Sequence, residues 1–162
     1  MQAVSIRQAV LADAAVIAEF NQYMALETEH KELIPELILA GVQSLLANPS
    51  YGFYLVAELD GLVVGSLLIT TEWSDWRNGV FWWVQSVYVR AEYRRQGIYR
   101  KLYAAVKALA TEQGNVCGFR LYVEKDNQNA QTTYQELGMQ MTDYLLYEEM
   151  QAGIRYLKEQ TA

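Results

Sequence analysis

The stretch from Val80 to Lys107 constrains this chain more than any other. It opens with VFWWVQSVYV, a run of aromatic and β-branched residues that predicts a largely buried strand. The loop RAEYRRQ follows. From Gly97 the pattern turns helical, with Ile98, Leu102, Ala105, Val106 and Leu109 recurring at spacings of three and four. Arg90, Arg94, Arg95, Arg100 and Lys101 stand here against one acid, Glu92, although the whole chain carries a net charge of −6. The first amides of a helix lack intrahelical acceptors and sit at the positive end of its dipole, and a glycine lets an anion approach them. Strand, cationic loop and glycine thus point to a di- or triphosphate-like ligand. The plainer alternative is a solvated basic turn before an ordinary helix.

A length of 162 residues fits a single domain over residues 1–162, and 52% hydrophobic with 20% charged residues is ordinary for a globular protein. The acidic balance argues against general nucleic-acid binding, so the local basic cluster predicts a small target. Cys117, the one cysteine, lies in the apolar run Val116 to Val123 and reads as a small buried side chain, far from being a nucleophile beside the lone His30. No disulfide within the chain is possible, which suits a reducing compartment. No apolar run approaches a membrane span and no basic-then-apolar leader opens the chain, so a cytoplasmic protein with no membrane partner is expected. No metal is expected.

The rest of the chain supplies the elements around that stretch. Val4 to Arg7 predicts a short strand, Ala9 to Leu26 a helix with Asp13 in its first turn, and Pro35 to Ala47 a second helix begun by proline. Tyr51 to Glu58, the Asp60-Gly61 turn and Leu62 to Thr71 predict a hairpin, with Gly65 marking a bulge or a close approach. Together with Val80 to Val89 these strands form an antiparallel meander. After the helix from Gly97 to Gln113, the strand Val116 to Val123 follows a crossover and is expected parallel to the strand at 80–89. A helix from Gln128 to Leu137 and one long or two short strands over Met139 to Met150 complete an α/β fold of the α+β type. No state is assigned to the tail beyond Ala152.

Asn127, Ala130, Tyr134 and Leu137 share one face of the last helix, where a small residue leaves room and a hydroxyl follows one turn later. Packing alone would also account for such a tyrosine.

The loop contains neither a P-loop nor a G-x-G-x-x-G pattern. Arg94-Arg95-Gln96-Gly97-Ile98-Tyr99 resembles the acyl-CoA pyrophosphate loop of the GNAT superfamily of N-acetyltransferases, written Arg/Gln-x-x-Gly-x-Gly/Ala, with Tyr99 departing from the small residue usual there. Asn127-x-x-Ala130-x-x-x-Tyr134, followed by Gly138-Met139, is similar to the second signature of that family. The resemblance implies a mixed central sheet of about six to seven strands with helices on both faces. It implies acetyl-CoA as cofactor, held by the amides of Gln96, Gly97 and Ile98, with Arg94, Arg95, Arg100 or Lys101 adding charge. Tyr99 belongs to the same loop. The pantetheine arm would lie along Val87, Tyr88 and Val89, where the strands at 80–89 and 116–123 splay. Asn127 and Ala130 would line that arm, the Val89 or Tyr88 amide would face the oxyanion, and Tyr134 would protonate the departing thiolate.

A substrate ammonium must lose a proton before attack, and the central strand carries no acid to take it. Glu27 and Glu29 are the leading candidates, with His30, Glu72, Asp75 and Glu124 behind them. The amine acceptor, small molecule or peptide, is expected near Trp73, Trp76, Trp82 and Trp83, where cation–π contacts suit a cationic amine. Two further readings stand beside an N-acetyltransferase: a non-catalytic acyl-CoA-binding or regulatory module, and an interaction domain without cofactor. Association of two chains into a homodimer through edge strands or the tail is also expected.

Overall fold

Five strands form one sheet in the order β1-β2-β3-β4-β5 in the computed structural model, which describes residues 3–159. The strands are β1 (Ser5–Gln8), β2 (Phe53–Leu59), β3 (Leu62–Ser74), β4 (Gly79–Val89) and β5 (Val116–Leu121). Four helices accompany them: α1 (Ala14–Glu29), α2 (Pro35–Ala47), α3 (Ile98–Gln113) and α4 (Gln128–Glu136). β2, β3 and β4 pair antiparallel and β5 pairs parallel to β4, as the turn and crossover pattern predicts, and β1 adds antiparallel to β2. Among the described residues no helix is long and apolar enough to cross a membrane.

Each face of the sheet has its own core. On one face Leu55, Leu67, Ile69, Trp82 and Val84 pack against Ile98, Leu102 and Val106 of α3. On the other Tyr54, Val56, Leu68 and Tyr88 pack against Ile17 and Phe20 of α1 and Val42 of α2. Alternation along β2 and β3 divides their side chains between the two faces. The start of α1 is held to β1 and β2 by charge: Arg7 is bidentate to Asp13 at 2.8 and 3.0 Å, and its Nε donates to Glu58 Oε2 at 2.9 Å. A short 3-10 turn, Leu11–Asp13, precedes α1, which therefore begins later than its apolar pattern suggests and runs on to His30 in a left-handed cap.

β4 is irregular where it matters. Leu68 lies opposite Gln85 and Ser66 opposite Tyr88, so β4 carries one extra residue there, and Ser86 takes a φ of 50°. An inserted residue reverses the alternation beyond it. Trp82 and Val84 face α3 before the bulge; after it Val87 and Val89 face α3, and Tyr88 turns to the α1 side. Gly65, opposite Val89, is the close approach its position suggests: a Cβ there would stand 3.0 Å from the Tyr88 carbonyl oxygen.

The sheet falls short of six to seven strands because residues 139–150 do not pair. Every residue from Gln140 to Tyr156 is exposed, so the β propensity of Tyr144-Leu145-Leu146-Tyr147 finds no ladder to join. β5 is consequently an edge strand, ending at Leu121 rather than Val123. Cys117 on it is exposed, not buried.

Candidate active site

β4 and β5 pair only from Val80 to Val84, after which β4 continues to Val89 with its β5 side open. Val87, Tyr88 and Val89 form this free stretch. A 3-10 turn, Ala91–Tyr93, leads to the loop, where Arg95 and Gly97 both adopt left-handed conformations, with φ of 63° and 76°. Two such residues curl the backbone so that successive amides point inward, an anion-binding arrangement continued by the start of α3. The amides of Gln96, Gly97, Ile98, Tyr99 and Arg100 have no backbone or side-chain acceptor among the described residues; the first helical bond runs from Lys101 N to Gly97 O at 3.0 Å.

A cleft of about 470 Å³ lies over these amides, between the end of β4 and α4, with Val89, Arg95, Gly97, Arg100 and Leu137 in its wall. A Cβ built on Gly97 meets nothing within 4 Å, so the backbone there is open to a ligand. Among the described residues Arg95, Arg100 and Lys101 form no ion pair, which leaves three cations at this mouth. Arg90 is turned elsewhere, its Nε donating to Val63 O and its guanidinium over the Phe20 ring.

Arg94 is also committed. Its Nε donates to Val89 O at 2.8 Å, and its Nη2 to Glu27 Oε2 at 2.7 Å. Glu27 Oε1 in turn accepts from the Tyr88 hydroxyl at 3.2 Å. Burial, then the neighbouring Glu27 carboxylate, push the Tyr88 phenol up. Of the six candidate bases Glu27 is the one whose carboxylate is hydrogen-bonded to the open end of β4 and to the loop after it. Glu29 faces Lys31 at 3.3 Å, and His30 caps α1. Glu72, opposite Phe81 at the far end of β4, accepts from Trp83 Nε1 and Arg120. Asp75 and Glu124 bind the amides of Trp76 and Asp126 in their own turns.

The tryptophans do not gather into a pocket. Trp82 is core, edge-on to Phe53; Trp83 packs on Tyr122; Trp73 and Trp76 are exposed at the end of β3 and beyond it. All four sit near the start of β4, well away from the Tyr88 end, so they do not form the expected surrounding of an acceptor.

Tyr99 points away from the loop amides and into the gap between α3 and α4. Its ring stacks on Tyr103 at 6.2 Å and meets Tyr134 edge-on at 5.8 Å, and its hydroxyl is buried without a partner. Burial raises the Tyr99 and Tyr134 phenols, so both hold their protons at neutral pH. Asn127 caps α4, its Oδ1 accepting from Ala130 N at 3.1 Å, which leaves its Nδ2 to point elsewhere. The Glu27–Tyr88–Arg94 cluster had no local signal: its members lie 61 and 67 residues apart.

The model of the acetyltransferase (GNAT) family matches residues 15–139. A solved structure described as a possible acetyltransferase from Clostridium difficile 630 is 46% identical, with a TM-score of 0.85 over 91% of this chain and 97% of that one. The ribosomal-protein-alanine N-acetyltransferase of Brucella melitensis biovar Abortus 2308 shares the fold at 19% identity and a TM-score of 0.74, over 93% and 100% of the two chains. So does a "predicted acetyltransferase with acetyl-CoA" from Clostridium acetobutylicum, at 18% and 0.77, over 91% and 96%. Among curated proteins none matches the chain.

Proposed function

Because the chain belongs to the acetyltransferase (GNAT) family, we propose that it moves the acetyl group of acetyl-CoA onto a primary amine by direct attack in a ternary complex. The observation that carries this reading is the adjacency of two backbone surfaces: the β4 edge at Val87–Val89 that β5 leaves unpaired, and the amides of residues 96–100 at the start of α3, which have no acceptor among the described residues. An extended amide-bearing arm ending in a pyrophosphate needs both, in that order. The uncommitted Arg95, Arg100 and Lys101 add charge-assisted contacts to the phosphates. Asn127 Nδ2 and the small Ala130 side chain face the same arm.

The thioester supplies the carbonyl carbon to be attacked. The chain's own residues then handle the protons. Glu27 accepts the proton that the acceptor ammonium loses, and the Tyr88 hydroxyl and Arg94 hold its carboxylate in place. Glu29, turned to Lys31, has no part in this scheme. As the N–C bond forms and the C–S bond breaks, the Val89 or Tyr88 amide stabilises the oxyanion. Tyr134, whose phenol burial raises, gives its proton to the leaving thiolate, and the second proton that the nitrogen sheds on becoming an amide, passed through water, restores it.

Calorimetric titration with acetyl-CoA, CoA and ATP tests the cofactor. Micromolar binding of acetyl-CoA and CoA with much weaker ATP binding is the expected result, followed by thiol release in an amine screen. Binding without thiol release for any amine class would favour a non-catalytic acyl-CoA-binding module. No acetyl-CoA binding would overturn the reading altogether.

A further inference from the structure

We propose that Tyr99 is the positioning residue for Tyr134, its ring fixing where the phenol of α4 stands against the departing sulfur. The inference rests on the proton-donor role proposed for Tyr134 and adds a residue which that role requires.

Of the four helices, α4 alone has no fully buried residue among those described; Tyr134 is half-buried. Its start is capped locally by Asn127, and past its end Leu137 and Met139 rest on the core around α3. Tyr134 lies between these anchors. The ring it meets is Tyr99, edge-on at 5.8 Å with 66° between the planes. A tyrosine side chain turns about two bonds only, so a contact that fixes its ring also fixes its hydroxyl.

Tyr99 is itself held. It stands one turn before Tyr103 on the same face of α3, and the two rings stack at 6.2 Å with 8° between their planes. Tyr103 is buried and meets Phe119 of β5 edge-on at 5.8 Å. A column of four rings therefore runs from α4 through α3 to β5. β5 is the strand that parts from β4 after Val84, where the thioester is proposed to enter, so the column refers the Tyr134 phenol to the reacting centre. The connection 122–127 between β5 and α4 holds only a turn and gives no such reference.

The ring does this, not the hydroxyl. Tyr99 Oη is buried without a partner, so no hydrogen bond keeps the side chain in place. An unpaired buried hydroxyl opposes folding, and the ring contacts hold in spite of it.

Tyr99→Leu removes the ring and leaves the backbone amide. Turnover should fall about tenfold to a hundredfold, as for a reacting group displaced by an ångström or less. Acetyl-CoA affinity by calorimetry should stay within about threefold, and Tyr99→Phe should restore the rate to within about twofold. In a Tyr134→Phe background, Tyr99→Leu should cost less than about a further twofold, because the group it places is gone. Hydrogen exchange reads the contact without turnover: the amides of Gln131 to Tyr134 should exchange about tenfold faster in Tyr99→Leu and at the original rate in Tyr99→Phe. Additive losses, no rescue by phenylalanine, equal loss of affinity and rate, or unchanged exchange would each overturn the positioning role and leave the acetyltransferase reading standing. Full turnover in Tyr134→Phe would instead remove the donor role, and this inference with it.

Discussion

Arg94 Nη2 lies 2.7 Å from Glu27 Oε2, tying the phosphate-loop candidate to the last turns of α1. The other carboxylate oxygen receives the Tyr88 hydroxyl, and Arg94 also stands over the Tyr88 ring at 5.3 Å. One acid is thereby held at the open end of β4 by a strand residue and a loop residue together. Both Arg94 and Glu27 are close to half exposed, so the pair adds little to stability; its consequence is position.

Glu27→Gln keeps a group able to accept from Tyr88 but removes the proton acceptor. Turnover should fall by about 10²-fold or more, with acetyl-CoA affinity unchanged by calorimetry. Raising the pH, which deprotonates the amine in solution, should restore part of the lost rate. A loss below threefold would exclude Glu27 as the base.

Tyr134→Phe removes the proposed proton donor and leaves the ring against Tyr99. The turnover number should fall roughly tenfold to a hundredfold, with acetyl-CoA affinity within a factor of two. Equal losses in both quantities would instead assign Tyr134 to binding.

Gly97→Glu should abolish acetyl-CoA binding. No protein atom stands within 4 Å of a Cβ at this position, so crowding within the fold is not the cause. The cause is negative charge over the amides, joined by the strain of a side chain at φ 76°. Gly97→Ala isolates the strain and should cost about 1 kcal/mol in urea unfolding. Normal binding by the glutamate variant would remove the loop from the site.

Asp13 is almost fully buried, and hydrogen bonding from Arg7 holds its carboxyl below the usual carboxylate range. A lowered folded pKa means the stabilisation is complete above the unfolded value near 3.9 and is lost as pH falls through the folded one. Unfolding free energy should therefore drop as the pH is taken from about 5 to below 3. Asp13→Asn should flatten that part of the curve and cost about 2 kcal/mol at pH 7, moderated by the partial exposure of Arg7. Curves of equal slope would disprove the assignment.

Much of this molecule was legible in the order of its residues. The 3.6-residue period of α3, Pro35 at the start of α2, the Asp60-Gly61 turn and the crossover into β5 are local or nearly local facts, and the structure has each of them. The loop proposed to hold the pyrophosphate is local too, since left-handed Gly97 and the first amides of α3 are neighbours in the chain. What tertiary structure alone decided depends on contacts between distant residues. Nothing in Gln85-Ser86-Val87 signals a bulge, yet that one inserted residue turns Tyr88 to the α1 face, where its hydroxyl meets Glu27. The strand count and the exposure of Cys117 and of residues 140–156 share one cause: a segment can have the composition of a strand, but a strand exists only where another backbone edge receives its hydrogen bonds.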